Sequence, residues 1–486
     1  MTVEVKAETT MQTAAEEPVK VVAEEVKCEK DESKLKVVEK SSSYREESNF
    51  LSDLKEHEKK ALTELKTKLE EAILGNTLFK KEEKKSEKKE EEKATEEKCE
   101  KEAEKKEECE KEEENKSNEC EKIEETEEKE QKIEADVEVD KDISIWGVPL
   151  LPSKGNEGTN VVLLKFLRAR EFKVNDAYQM LEKTLQWRKE FKIDSILDED
   201  FGSDLDCAAY MSGVDSQGHP ICYNIFGVLD NEEIYEKTLA TDEKREQFLR
   251  WRVQLMEKGV QKLDFNPGGM TSLVQINDLK NSPGPSKKEV RAAVNKAVAL
   301  LQDNYPEFVA KNIFINVPFW YFAYHSLLSP FLTQRTKSKL VFARSSKVTE
   351  TLLKYIPIQE IPIQYGGIKR DNDFEFSAAD GEATEVAIKA GSTETIEIPT
   401  PEVGTTFIWD LIVLGWEVNY TEEFVPTCEN SYTMIIQKGK KICSGEEPVR
   451  KTFKNNEAGK IVITVQNCSG KKKKAFYRYK VKKASF

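Results

Sequence analysis

Apolar and polar positions divide the chain into three stretches with different periods. Near the front, Leu51, Leu54, Leu62, Leu65, Leu69 and Ile73 recur at three, four or eight residues. That spacing predicts an amphipathic helix over about 50–74, interrupted by His57 and Glu58 and ended by Gly75-Asn76. It either docks on a folded body or a partner, or remains a weakly formed solvated helix. From Ile143 the composition becomes globular. Leu163, Phe166 and Leu167 share one helical face, with Arg168 and Arg170 on other flanks. Ala177, Met180, Leu181, Leu185 and Trp187 form the stripe of a second helix, with Asn175 as its N-cap. Residues 208–226 read as a hairpin around Asp215-Ser216-Gln217-Gly218, with His219 an ordinary loop histidine. A long helix then runs from the N-cap Thr241 to about Asp264. A buried strand over Thr271–Asp278 and a helix capped by Ser286 follow.

Next come a strand over Asn312–Asn316 and an apolar, aromatic helix. A basic turn through Arg335, Thr336, Lys337, Ser338 and Lys339 leads to a strand over Leu340–Ala343. Strands alternating with helices between 208 and 343 predict an α/β sheet covered by helices. Asp371–Asp380 reads as a short acidic linker. Beyond Glu382 the period changes to two, in runs such as TIEIP, TFIWDLIVLGWEVNY and KIVITVQN. Several short strands with no helices between them predict a β-sandwich of about a hundred residues.

Charge separates the front of the chain from the rest. Residues 1–140 hold 46 acidic and 29 basic side chains, net −17, and residues 141–486 hold 45 and 47, net +2. Most of 1–140 lacks the apolar residues to offset ordering entropy and is expected to be disordered. Its Glu/Lys block over 80–135 reads as a solvated tether and a brake on approach to anionic lipid. The nearly neutral remainder can approach an anionic surface. Nine cysteines without a C-x-x-C pair and only three histidines argue against a metal site or a disulfide framework and for a reducing compartment. With no signal peptide and no membrane-spanning run, a soluble cytoplasmic protein is expected. There is no Gly-rich phosphate loop, no G-x-S-x-G elbow and no H-E-x-x-H, so an enzyme is not expected. Basic residues balanced by acids, with no stacking motif, argue against nucleic acid.

The candidate chemistry lies around Tyr305–Phe342. Phe319, Trp320, Tyr321, Phe322 and Tyr324 crowd into one run, and basic and hydroxyl residues follow. An apolar cavity wall with a phosphate-sized polar mouth suits a phospholipid. Tyr305-Pro306-Glu307, Asn316-Val317-Pro318-Phe319, Pro330-Phe331-Leu332, Thr336-Lys337-Ser338-Lys339 and Ile361-Pro362-Ile363-Gln364-Tyr365-Gly366-Gly367 together resemble the CRAL-TRIO lipid-transfer domain. The resemblance implies a helical N-terminal lobe over 143–206 and a lipid-binding domain over 207–370. The sandwich over 381–486, with WDLIVLGWEVNY and a closing KKKKAFYRYK, resembles a GOLD domain. With the acidic front at 1–140, the order is that of the plant patellins.

The resemblance carries residues with it. The second arginine of L-R-A-R, Arg170, together with Glu307, Thr336 and Lys339, is implied to hold an inositol-phosphate headgroup. The alternative for Arg170 and Glu307 is a structural salt bridge beneath the pocket. Phe319, Trp320, Phe322, Leu327, Leu328 and Phe331 are implied to line the pocket or its mobile gate. Lys471, Lys472, Lys473 and Lys474 either contact anionic headgroups or form a soluble hairpin tip. Leu273 and Gln275 stand where phosphatidylcholine-binding members carry small hydroxyl residues. The expected function is phosphoinositide binding and lipid transfer in membrane trafficking, at the cell plate during cytokinesis. Peripheral attachment to plasma membrane, cell plate or endosomes goes with it. The ligand is a phospholipid, no cofactor is expected, and the GOLD domain is available to protein partners. The alternative is a membrane-recruited scaffold that binds proteins through GOLD without moving lipid.

Overall fold

The computed structural model describes residues 45–79, 141–283, 287–318, 321 and 334–482. Residues 1–44 and 80–140 of the acidic front, and all of 319–333 but Tyr321, therefore lie outside the described residues.

Helix α1, Glu56–Leu74, starts where the Glu58 carboxylate accepts from the Lys55 amide at 2.9 Å. His57 and Glu58 thus open the helix instead of interrupting it, and Leu51 and Leu54 precede it in a short turn. Its apolar stripe docks on α2, Glu157–Ala169, and α3, Val174–Glu190. Leu65 and Leu69 are fully buried there. The helix is thus a wall of the helical lobe, which the sequence reading began at residue 143. Asn156 caps α2 by accepting from the Gly158 amide. Helix α3 has Lys173 at its cap position with no side-chain cap. Asn175 lies inside the helix and accepts from Lys68 of α1 at 2.6 Å. A small ribbon, β1 (Ser144–Ile145) with β2 (Val148–Pro149), places Trp146 against Phe166, Phe265, Tyr305 and Phe308.

The central sheet has the order β3-β4-β5-β6-β7, with β3 Ala209–Val214, β4 Pro220–Ile225, β5 Leu273–Asp278, β6 Val309–Ile315 and β7 Leu340–Phe342. The β3–β4 hairpin is antiparallel and the other pairings are parallel. Parallel neighbours need crossovers. Helices α4 (Glu232–Thr238) and α5 (Asp242–Val260) join β4 to β5, and α6 (Lys288–Asn304) joins β5 to β6. Thr241 caps α5 as its hydroxyl expects, while Ser286 lies outside the described residues. The basic stretch before β7 is a short helix, α7, Gln334–Lys339, and not a turn. Strand alternation sends Ile221, Tyr223, Val274, Ile276, Ile313 and Ile315 to one face, under α8 (Val348–Leu352) and Ile356. The opposite face is partly polar. Asn224 accepts from the Arg252 guanidinium at 3.0 Å and donates to Asn277, which donates to Asn312.

The Tyr365-Gly366-Gly367 turn closes this domain. Tyr365 donates to Asp278 at 2.9 Å and stacks on Tyr223. Gly366 has φ of 79°, and a Cβ on Gly367 would lie 1.9 Å from the Ile361 carbonyl oxygen. Only glycine fits both positions.

The C-terminal region is a sandwich of two four-stranded antiparallel sheets, β13-β10-β15-β8 and β12-β11-β14-β9. The strands are β8 Thr384–Ile388, β9 Thr393–Thr400, β10 Thr406–Val413, β11 Val418–Pro426, β12 Met434–Ile442, β13 Val449–Lys454, β14 Gly459–Asn467 and β15 Lys473–Lys482. Phe407, Trp409, Tyr420 and Phe424 fill the space between the sheets. Buried Glu422 accepts there from Trp409 Nε1 at 2.7 Å and from the Tyr420 hydroxyl. The acidic stretch after Arg370 is pinned to the sandwich. Asp373 pairs with Arg450 at 2.7 Å and Arg478 at 3.4 Å, and both arginines share buried Asp410. Glu375 and Asp380 pair with Lys482 and Lys480. This stretch is an adaptor locked by charge, not a free linker.

Leu65→Ala should cost about 2–5 kcal/mol of unfolding free energy, read from the urea midpoint, because it opens a cavity under α1. A neutral result would mean that α1 contributes little to the lobe.

Candidate functional site

The Tyr305-Pro306-Glu307 turn connects α6 to β6, and its geometry is set from below. Tyr305 donates to Glu257 at 2.5 Å, and Arg188 donates to the same carboxylate oxygen at 2.6 Å. This buried triad ties α3 and α5 to the turn. Glu307 then takes φ of 57°, a left-handed conformation that is costly for a residue with a side chain and that clusters at functional sites. The result aims its carboxylate at α7.

Two α7 cations converge on Glu307. Lys339 Nζ lies 2.7 Å from one carboxylate oxygen, and Arg335 donates through Nε at 2.8 Å and Nη2 at 3.1 Å. The Glu307 and Lys339 side chains are 13% and 12% exposed. Such a shielded pair must stay matched, since removing one partner strands the other. Burial alone would raise the Glu307 carboxyl, but Lys339 and Arg335 outweigh it and hold it below the usual carboxylate range. Burial pushes the Lys339 ammonium down. Thr336 is on the same helix, solvent-exposed.

Helix α2 supplies the opposite wall. Lys165 is 2% exposed. It donates to the Glu307 carbonyl at 2.9 Å and lies 4.3 Å from the centre of the Phe308 ring. Burial pushes its ammonium down to about 7, with Glu46 and Glu307 pulling it back. One turn on, Arg168 faces the same way. Between these walls lies a cleft of about 140 Å³ lined by Lys165, Arg168, Glu307 and Arg335, among others. Its donors suit a group with several anionic oxygens, and guanidinium forks suit phosphate and carboxylate in particular.

Glu307, Lys339 and the α7 helix carrying Thr336 are thus brought together. Arg170 stands apart: it is the exposed C-cap residue of α2, and its guanidinium donates to the Ala169 carbonyl at 3.5 Å. The first arginine of L-R-A-R, Arg168, occupies the cleft in its place. The signal in the sequence was Lys165 and Arg168 at i,i+3, which share a helix face. The sequence reading saw an ordinary amphipathic helix there. Yet residues 161–167 are buried all round, so Lys165 is buried as well, and Arg168 next to them is partly covered.

His219 is also unlike an ordinary loop histidine. It is 2% exposed. Nδ1 contacts Asp215 at 2.9 Å and Nε2 contacts Glu46 at 3.0 Å. Burial works against its charge, but the two carboxylates outweigh burial and hold the imidazole up at about 9. Lys311 faces Asp215 from β6 at 3.3 Å.

Phe319, Trp320, Phe322, Leu327, Leu328 and Phe331 lie outside the described residues. Tyr321 is described and packs near Phe314 and Phe342. Of the four lysines, Lys471 and Lys472 precede β15, while Lys473 and Lys474 belong to it. Lys474 pairs with Glu385 at 2.8 Å. Among the described residues no helix is long and apolar enough to cross a membrane.

Comparison with known proteins places each region. The family model described as CRAL/TRIO domain matches residues 206–367, and the one described as CRAL/TRIO, N-terminal domain matches 59–183. The latter takes in α1. A model described as Patellin-1-like, C-terminal GOLD domain matches 389–474. The chain is 56% identical over 520 residues to Patellin-4 of Arabidopsis thaliana, covering 97% of this chain and 95% of that protein. It is 50% identical over 346 residues to Patellin-3 of the same plant, covering 70% of each. It is 31% identical over 235 residues to the phosphatidylinositol transfer protein SFH5 of Scheffersomyces stipitis, covering 45% of this chain and 70% of that protein.

The His219 environment has a pH signature. In an NMR titration its ring should protonate with a midpoint near 9, against about 6.5 for a free imidazole. A raised value means that its ion pairs stabilise the fold fully below about pH 6.5 and lose that contribution as pH climbs through about 9. A midpoint near 6.5 would contradict the double carboxylate contact. Glu307→Gln should lower stability by roughly 3 kcal/mol at neutral pH, in thermal or urea unfolding, by leaving Lys339 and Arg335 without their carboxylate.

Proposed function

The chain belongs to the patellin family, and on that premise we propose that it binds a phosphoinositide and works as a lipid carrier or tether at trafficking membranes. The observation that carries this reading is the convergence of Arg335, Glu307, Lys165 and Arg168 around a cleft of about 140 Å³, with Lys339 paired to Glu307 behind it. That donor set suits a phosphorylated inositol ring, with Glu307 orienting the ammonium and accepting from a ring hydroxyl. The relatives named phosphatidylinositol transfer proteins support the same lipid class. No covalent step is part of this reading. The protein would attach peripherally, at the cell plate, plasma membrane or endosomes, with Lys471, Lys472 and Lys473 near the anionic surface.

A second reading draws on the sandwich. Strand β12 is a sheet edge, and near it Tyr432, Met434 and Ile435 are 91%, 47% and 60% exposed. An edge of this kind suits a protein contact. In this case the lipid would serve as an address and the sandwich would do the recruiting.

Sedimentation with vesicles carrying single inositol lipids tests the site. Lys339→Ala should bind about tenfold more weakly, or worse, the loss of one charge-assisted contact. Undiminished binding would move recognition away from Glu307. Labelled lipid moving between vesicles would support the carrier, and adherence without movement the scaffold.

A further inference from the structure

The cleft is walled on one side by a segment of this chain, residues 46–50, which takes up donors that a headgroup would use. Residues 45–50 form neither helix nor strand, and Glu46 to Phe50 line the cleft. Glu47 meets Arg168 at 2.9 Å and Arg335 at 2.7 Å. Arg168, only 8% exposed in its side chain, also donates to the Ser48 carbonyl at 2.7 Å and to the Asn49 side-chain oxygen at 2.6 Å. Glu46 accepts from the Ser272 hydroxyl and from His219. Arg335 is thus shared between Glu307 below and Glu47 above.

We propose that Glu46 and Glu47 form an intramolecular stand-in for a phosphate monoester, so that the cleft takes a phosphate-monoester headgroup only when this segment leaves it. The proposal deepens the phosphoinositide reading and rests on it. Charge supplies the first argument. Two carboxylates carry two negative charges, the load of a phosphate monoester near neutrality, whereas a phosphodiester carries one. Without the segment, Arg168 and Arg335 would lose the Glu47 carboxylate. Cations so shielded require counter-charge, so segment and ligand compete for the same donors.

Strength supplies the second. The Glu46 and Glu47 side chains are 36% and 47% exposed, so solvent reaches their pairs and screens them more than it does the Glu307–Lys339 pair. Glu307 and Lys339, far better shielded, would stay in place when the segment goes. The third argument is tethering. Asn49 and Leu54 are buried, and α1 docks directly after them. The segment therefore remains at high local concentration beside the cleft without any distant anchor.

The test uses the full chain as wild type, Glu46→Gln/Glu47→Gln, Glu64→Gln/Glu71→Gln and Lys339→Ala. Glu64 and Glu71 are exposed on α1 and control for the bare change of charge. The probes are vesicles with a phosphate-monoester inositol lipid, vesicles with phosphatidylinositol alone, and soluble inositol trisphosphate. The Glu46/Glu47 variant should bind the monoester vesicles about tenfold tighter or more, with little gain on phosphatidylinositol. A parallel gain for inositol trisphosphate supports the proposal with the phosphate group as the recognised unit, and a gain on vesicles alone supports it with the lipid as the source. In wild type, saturating ligand should raise amide exchange over 45–50, a readout that stands even if the double variant fails to fold. An equal gain in the Glu64/Glu71 control, or no gain and unchanged exchange, overturns the proposal. If Lys339→Ala loses binding while the Glu46/Glu47 variant gains none, only the stand-in fails. If Lys339→Ala binds as wild type does, the headgroup site itself fails.

Discussion

A charge drawn partly out of water must be matched, and around Glu307 that requirement organises the molecule. The Glu307 carboxylate pairs with Lys339 and Arg335, and its carbonyl takes the Lys165 ammonium. Its left-handed backbone is tolerated because the Tyr305–Glu257–Arg188 triad fixes the turn from beneath. Glu47 pairs with Arg168 and Arg335 from the other side, and Glu46 pairs with His219. Helix, turn and N-terminal segment are therefore held in register by electrostatics that apolar packing alone would not specify.

The scaffold makes such a cluster sustainable. Trp146 and the aromatic side chains around it close the lobe behind the cleft, and α1 seals its flank. On the far side, Tyr365 on Asp278 and the two glycines after it finish the α/β domain. Asp373, Arg450, Asp410 and Arg478 then bind the connecting stretch to the sandwich. The α/β domain and the sandwich are thereby joined through this connecting stretch.

Much of this was legible in the chain. Period two beyond Glu382 foretold the sandwich, and the 3.6-residue stripe at Leu62, Leu65, Leu69 and Ile73 foretold α1. The Tyr-Pro-Glu and Thr-x-Ser-Lys motifs brought Glu307 and Lys339 together before any coordinates. Their spacing matters because a crossover helix and two parallel strands set both residues at one end of the sheet. Element ends were less legible. Asn175 looked like a cap and Arg335–Lys339 like a turn, because capping and short-helix formation depend on tertiary partners such as Lys68 as much as on local preference. The acidic stretch at Asp373–Asp380 read as a linker because its arginine and lysine partners lie about 70 to 110 residues further on.

What the sequence determined by itself is most of the long helices and strands, the two domain classes and the motif residues Glu307 and Lys339, since periodicity and turn chemistry act over a few residues. What only the tertiary structure decided is which charges meet. It chose Arg168 over Arg170, buried Lys165 and His219, and set Glu46 and Glu47 against cations more than a hundred residues away. Ion pairing across such separations leaves no local pattern, because any exposed acid can meet any base until packing removes the water between them.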